Sequence, residues 1–312
     1  MIVLISILCI AAVCFIAEYM LYRFVFGHPV KKRSNAHCIP ESNLYKPYRD
    51  TMLDVVKESE TIPHEELSIW SYDGIRLYGR YYAMKKDAPL AIFFHGYHGV
   101  SAWDGYGFFK ICRNNGINLL MIDERAHGKS ESDIITFGLK ERHDCKLWTE
   151  YAIKRFGENT DIILAGVSMG AASVLMASEL GFPQNVRCII SDCGYSEPAA
   201  IIKETIKMMK LPVKPLYYLV NLGAKLFGHF DLEETTAVNA VKKVKIPVLF
   251  IHGRCDNIVP VYMCEELYQN CAGRKEMVLI EGANHANSAM TDYAAYEKAV
   301  MEFVGKIIYK NT

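Results

Sequence analysis

Positions 2 to 17 contain one polar side chain, Ser6, and apolar character resumes from Tyr19 to Phe26 after Glu18, broken only by Arg23. A helix over these 25 residues would measure about 37 Å at about 1.5 Å per residue, enough to cross a hydrocarbon layer of about 30 Å. Glu18 and Arg23 lie toward one end, where long side chains can reach the headgroups, and Tyr19, Tyr22 and Phe24 suit the interface. A removable leader normally starts with basic residues and ends in a small-x-small site; here Lys31, Lys32 and Arg33 instead follow the apolar run. The pattern predicts a single-span membrane anchor over 1–27, with a buried helix as the competing reading. The positive-inside rule then places the rest of the chain in the cytoplasm.

Beyond the anchor the periodicity changes. Pro29, Pro40 and Pro47 interrupt 28–61, where Tyr48 to Glu60 alone has helical spacing, so a linker with a short helix is expected there. A compact domain is expected over 62–312. Glu66 to Tyr72 and Arg76 to Met84 flank Asp73-Gly74 and predict an antiparallel hairpin. Apolar runs then recur at Leu90 to Phe94, Asn118 to Ile122, Asp161 to Ala165, Val186 to Ser191, Pro247 to Ile251 and Glu276 to Ile280. Most are separated by enough chain for a helix. Short buried runs spaced in this way predict parallel strands joined by right-handed crossovers, an α/β sheet with helices on both faces.

Composition narrows the function. With 312 residues and 51% hydrophobic positions the chain can bury a large core, and 35 basic against 35 acidic residues give no electrostatic footprint for nucleic acid. The ten cysteines are scattered without a CxxC pair, which predicts mostly buried thiols in a reducing compartment and no zinc or redox site.

The chemistry begins at Gly166-Val167-Ser168-Met169-Gly170, a G-x-S-x-G sequence between the strand Asp161 to Ala165 and an Ala-rich helix from Ala171 to Leu180. Two glycines permit a sharp strand-to-helix turn with the serine at its apex. Asp256 follows the strand Pro247 to Ile251, and His285 follows Glu276 to Ile280, so both occupy loops at carboxyl ends of parallel strands, where ligand groups gather in open α/β sheets. The order Ser168, Asp256, His285 suits a nucleophile, an orienting acid and a general base: His285 takes the serine proton, and Asp256 fixes the imidazole tautomer. Each residue alone also has a structural reading, as a turn, a helix cap or a hydrogen-bonded histidine. For the oxyanion, the turn His95-Gly96-Tyr97-His98-Gly99 after Leu90 to Phe94 offers the backbone N–H of Tyr97, opposite that of Met169. His95 and His98 have no third ligand at metal spacing, so structural roles are expected and no metal is assigned.

These motifs, with Asp123-Glu124-Arg125-Ala126-His127-Gly128-Lys129-Ser130 after the fourth strand, resemble the α/β-hydrolase superfamily, in particular its esterase, lysophospholipase and serine-aminopeptidase-like branch, over roughly 62–308. The resemblance implies a mostly parallel eight-stranded sheet with an antiparallel second strand, no cofactor, and hydrolysis through an acyl-serine. It also implies a lid over the cleft in the insert at about 195–244, where a helical pair burying its apolar side on the sheet is the competing reading. Ala126 departs from the glycine usual in that family. Some relatives place the acid where Asp192 stands, although the motif around Asp256 is the complete one. Asp123, Arg125 and His127 look like a network bracing a loop. The function expected is a membrane-anchored serine hydrolase of short- or medium-chain acyl esters or lysolipids, with a small-molecule or lipid ester as substrate. A peptidase, amidase or thioesterase, and a non-catalytic binding protein on the same fold, are the alternatives.

Overall fold

Burial on both faces is what central parallel strands require, and among the runs read above the five from Leu90 to Ile251 largely meet it. In the computed structural model, which describes residues 1–32, 37, 39, 41 and 45–309, the predicted segments form β1 (Glu65–Trp70), β2 (Arg76–Tyr82), β3 (Leu90–Phe94), β4 (Asn118–Asp123), β5 (Ile162–Val167), β6 (Val186–Asp192), β7 (Val248–Gly253) and β8 (Lys275–Ile280). Of the residues named above, Arg33 and Pro40 lie outside the described residues, as does Cys38, one of the ten cysteines. The eight strands make one sheet in the order β1-β2-β4-β3-β5-β6-β7-β8. β2 runs antiparallel to both β1 and β4, and the remaining pairs are parallel. Every residue of β3, β5 and β7 is buried.

The β1–β2 connection is longer than the two-residue turn that Asp73-Gly74 suggests. β1 ends at Trp70, and Ser71 closes the loop by bonding the Ile75 carbonyl through its N–H and Asp73 through its hydroxyl. Within that loop the Gly74 N–H bonds the Ser71 carbonyl, so Asp73 sits in a four-residue turn from which its carboxylate pairs with Arg125.

Helices α1 (Ile2–Phe26) and α2 (Arg49–Thr61) precede the sheet, and α3 (Ser101–Asp104), α4 (Tyr106–Asn115), α5 (Glu141–Phe156) and α6 (Met169–Ala177) alternate with its strands. The insert after β6 holds α7 (Pro198–Met208), α8 (Val213–Gly223), a π-helical turn (Ala224–Gly228) and α9 (Ala237–Val241), while α10 (Val261–Asn270), α11 (Ser288–Thr291) and α12 (Tyr293–Ile308) finish the chain. Alternation along each strand divides the interior in two. Ile92 and Phe94 join the core under α5, α6 and the insert, whereas Ala91 and Phe93 face the core built with α4 and α12.

α2 is part of this body and not of a linker, since Met52 and Val56 pack with Ala102 and Trp103 in a third apolar cluster. α1 divides along its length. An 18-residue stretch of mean hydropathy 2.6 has none of its residues buried, whereas Tyr22 and Phe26 enter the main core. Past Phe26 the chain adds an edge to the body: Gly27 bridges Ile134, the His28 N–H donates to the Asp133 carbonyl, and the Ile135 N–H to that of Phe26. The two charged residues of α1 turn toward protein. Arg23 pairs with Asp133 at 2.8 Å, and Glu18 lies against Gly223 of α8.

Candidate active site

Ser168, Asp256 and His285 occupy the loops after β5, β7 and β8, which the sheet order gathers at one end. The turn bearing Ser168 is crowded. A Cβ at Gly166 would collide with the backbone of Gly170 and Ala171, and one at Gly170 with the carbonyls of Phe94 and His95, so both flanking positions need glycine. Ser168 takes φ 53° and ψ −114°, a costly conformation for a residue with a side chain. His98, Ala126, Cys193 and Ala286 in the surrounding loops also have left-handed φ. Ala126, at φ 63°, keeps the geometry a glycine would adopt without strain.

The Ser168 Oγ lies 2.9 Å from His285 Nε2, and His285 Nδ1 lies 2.8 Å from Asp256 Oδ2. An ionised carboxylate only accepts, so Nδ1 carries the hydrogen and Nε2 is left to accept the serine proton. The other oxygen, Asp256 Oδ1, accepts the N–H groups of Ile258 at 2.9 Å and Val259 at 2.8 Å. Burial alone would raise the pKa of Asp256, but hydrogen bonds from His252 and His285 outweigh it and hold the carboxyl well below its usual range.

His252 is the member of this cluster that the sequence did not single out. Its Nε2 lies 3.2 Å from Asp256 Oδ2 and 2.8 Å from the Val259 carbonyl. Burial opposes its charge, yet bonding to Asp256 and Cys264 raises its pKa to about 10. Its position four residues before Asp256, at the end of a buried strand, was the available signal. Asp192 is turned elsewhere, accepting from Ser288 Oγ at 3.3 Å and from Tyr296, and burial raises its pKa to about 6.

Gly96 packs beside the serine: a Cβ there would lie 3.5 Å from Ser168 Cβ. Neither Tyr97 nor Met169 has an acceptor for its backbone N–H among the described residues. The loop that presents Tyr97 is fastened from several sides. The Gly96 N–H donates to Asp104 Oδ2 at 2.8 Å, a contact with no sequence motif to announce it. Burial raises Asp104 to about 6, against the pull of that N–H. His95 accepts the Glu124 N–H at Nε2 and donates from Nδ1 to the Gly96 carbonyl, and His127 accepts the His98 N–H and donates to the Arg125 carbonyl. Burial lowers the pKa of both rings and favours the neutral forms these bonds require. Arg125 grips Asp144 through two nitrogens at 2.7 and 2.8 Å and reaches Asp73 at 2.9 Å. The Tyr97 ring stacks on His98 and Phe137, and its hydroxyl donates to the Val25 carbonyl of α1 at 2.9 Å.

Among the described residues, Cys193, Asp256 and His285 form a grouping with metal-ligand chemistry, their ligand atoms within 4.8 Å of one another. Both nitrogens of His285 are already engaged, and burial holds the Cys193 thiol protonated. A surface cavity of about 870 Å³ opens at the amino ends of β3, β4 and β5, at the opposite end of the sheet from Ser168.

This topology, with a serine on the turn after β5 and acid and histidine after β7 and β8, is the α/β-hydrolase fold. The esterase Pf2001 of Pyrococcus furiosus superposes with a TM-score of 0.67 at 24% identity, over 80% of this chain and 94% of that one. Est1E of Butyrivibrio proteoclasticus, solved with ferulic acid bound, superposes with a TM-score of 0.61 at 24% identity, over 78% of this chain and all of that one. By sequence, the uncharacterized protein YqkD of Bacillus subtilis is 27% identical over 290 residues, 90% of this chain and 91% of YqkD. No protein-family model matches the chain.

Proposed function

We propose that this protein is a serine hydrolase of carboxylic esters, acting on short- or medium-chain acyl esters or lysolipids and held at a membrane by α1. The observation that carries the reading is the unbroken chain from Ser168 Oγ through His285 to Asp256, with steps of 2.9 and 2.8 Å. His285 Nε2 accepts the serine proton as Oγ attacks the ester carbonyl. Asp256 stabilises the imidazolium that forms. The developing oxyanion is met by the two N–H groups of Tyr97 and Met169, the second at the start of α6, where the helix dipole favours negative charge. The imidazolium then gives its proton to the leaving alcohol. Water, activated by the same nitrogen, releases the acid from Ser168.

The esterases among the structural neighbours support an ester over other acyl substrates. The core side chains supplied by the last two turns of α1 support a retained anchor over a removable leader. Labelling with a fluorophosphonate probe tests the mechanism: the wild type should label and Ser168→Ala should not. Labelling that survives Ser168→Ala refutes Ser168 as nucleophile, and an ester and anilide panel separates esterase from amidase.

A further inference from the structure

The α7–α8 hairpin leaves apolar side chains in the open directly beside the anchor. Tyr218, Leu219, Leu222 and Leu226 are all exposed, and at about 100° per residue they fall in one stripe along α8 and the π-turn. The residues that α8 buries, among them Tyr217 and Val220, lie on its other side. From Thr205 to Phe230 the chain carries Lys207, Lys210, Lys214 and Lys225 and no acidic residue. All four lysines are exposed.

The contact between this hairpin and α1 fixes their relative height. Phe227 meets Phe15 edge to face with ring centroids 5.1 Å apart, and Tyr19 likewise at 5.2 Å. Ile2 to Phe15 is 14 residues, about 21 Å of helix, which leaves about 9 Å of a hydrocarbon layer of about 30 Å still to be filled. Tilting the helix widens the gap. A span by α1 therefore takes the following residues, through about Met20, into the layer, and Phe227 goes in with them. An immersion of this size is what amphipathic helices reach at the boundary between headgroups and acyl chains, about 5–10 Å.

We propose that the α7–α8 hairpin is a second membrane-contacting element, inserting the Leu219, Leu222 and Leu226 stripe into the leaflet beside α1 while Lys207, Lys210 and Lys214 meet anionic headgroups. The charges match, because the cytoplasmic leaflet is negative and attracts lysines held close to its surface. The proposal extends the membrane reading of α1 and is independent of the reaction at Ser168.

The test uses the full chain reconstituted into vesicles of phosphatidylcholine and phosphatidylglycerol with brominated acyl chains, which quench tryptophan in the hydrocarbon. Leu222→Trp should lose at least half of its added fluorescence, as should Ile10→Trp in α1, whereas the wild type, with its exposed Trp70 on the edge strand, sets the unquenched baseline. Combining Leu222→Trp with Lys207→Glu, Lys210→Glu and Lys214→Glu should restore most of that fluorescence and leave Ile10→Trp quenched. Quenching at Ile10→Trp without quenching at Leu222→Trp overturns the hairpin contact and keeps the anchor. A dimer in that case gives the apolar stripe to a second copy. No quenching at either position overturns both. Quenching unaffected by the three glutamates overturns the headgroup contact.

Discussion

Asp256→Asn tests whether the acid works by fixing a tautomer. Asp256 presents four accepting contacts, two on Oδ1 from backbone N–H groups and two on Oδ2 from His285 and His252. An asparagine keeps one oxygen, which the two N–H groups of Ile258 and Val259 claim. Its NH₂ then faces both histidines. His285 Nδ1 must become an acceptor, its hydrogen moves to Nε2, and the nitrogen facing Ser168 can no longer take a proton. Loss of the correct tautomer in a triad costs about 10⁴ in kcat, or about 5.5 kcal/mol in the barrier. His252 cannot relieve the clash by turning over, because its Nε2 hydrogen is committed to the Val259 carbonyl at 2.8 Å. The variant should therefore also unfold more easily, by about 1–3 kcal/mol for a buried donor left unpaired. Steady-state hydrolysis of a p-nitrophenyl ester measures the first effect, and urea denaturation the second. A variant that keeps a tenth of wild-type kcat with a native melting curve refutes the reasoning.

Three other substitutions separate the surrounding roles. Asp192→Asn should leave hydrolysis nearly unchanged and stabilise the fold above pH 6: burial lifts this carboxyl from 3.8 to about 6, so the wild type loses stability between those values as it ionises and the asparagine does not, with a limit of about 3 kcal/mol. Equal stabilities at pH 4 and pH 8, from chemical denaturation, would contradict that sign. Tyr97→Phe removes the hydroxyl from the Val25 carbonyl and should lower kcat by about fivefold, the value of one hydrogen bond of about 1 kcal/mol, with KM unchanged; a loss above a hundredfold would mean that the side chain itself acts on the substrate. Arg125→Met leaves Asp144 and Asp73 without their partner and should destabilise the protein by about 3–5 kcal/mol in urea titration, with Arg125→Lys intermediate because it cannot form the forked contact.

The sheet was legible because its signal is local: six short apolar runs, most of them separated by helix-length spacers, leave parallel pairing as the economical solution, and β3 to β8 follow it with boundaries shifted by at most two residues. The residues that meet at Ser168 were legible for a related reason. Each sits directly after a recognisable strand, and the topology does the gathering. Contacts that depend on distant chain segments left no such trace. Asp104 reads as an ordinary polar residue in an aromatic stretch, and its bond to the Gly96 N–H exists because α3 folds back under the loop. Nothing in the spacing of Phe15, Tyr19 and Tyr22 says that their partner is Phe227, more than two hundred positions away. Asp73-Gly74 announced the hairpin, but not the ion pair that Asp73 makes with Arg125, 52 positions along the chain.

The bond from Tyr97 to Val25 has a practical consequence for anyone preparing this protein. A recombinant fragment begun at residue 28, the obvious way to remove the exposed apolar helix, would discard Tyr22 and Phe26 from the core, strip Ile135 of its acceptor and free the hydroxyl that steadies the loop beside Ser168. Such a fragment would be a poor stand-in for the enzyme however well it dissolved. Trimming at about residue 18 removes the exposed apolar turns and keeps those contacts. Conversely, a protease that nicked the chain between Lys32 and Tyr45 would not part α1 from the body, since the severed helix would stay bound through its buried end, as a cut strand stays in its sheet.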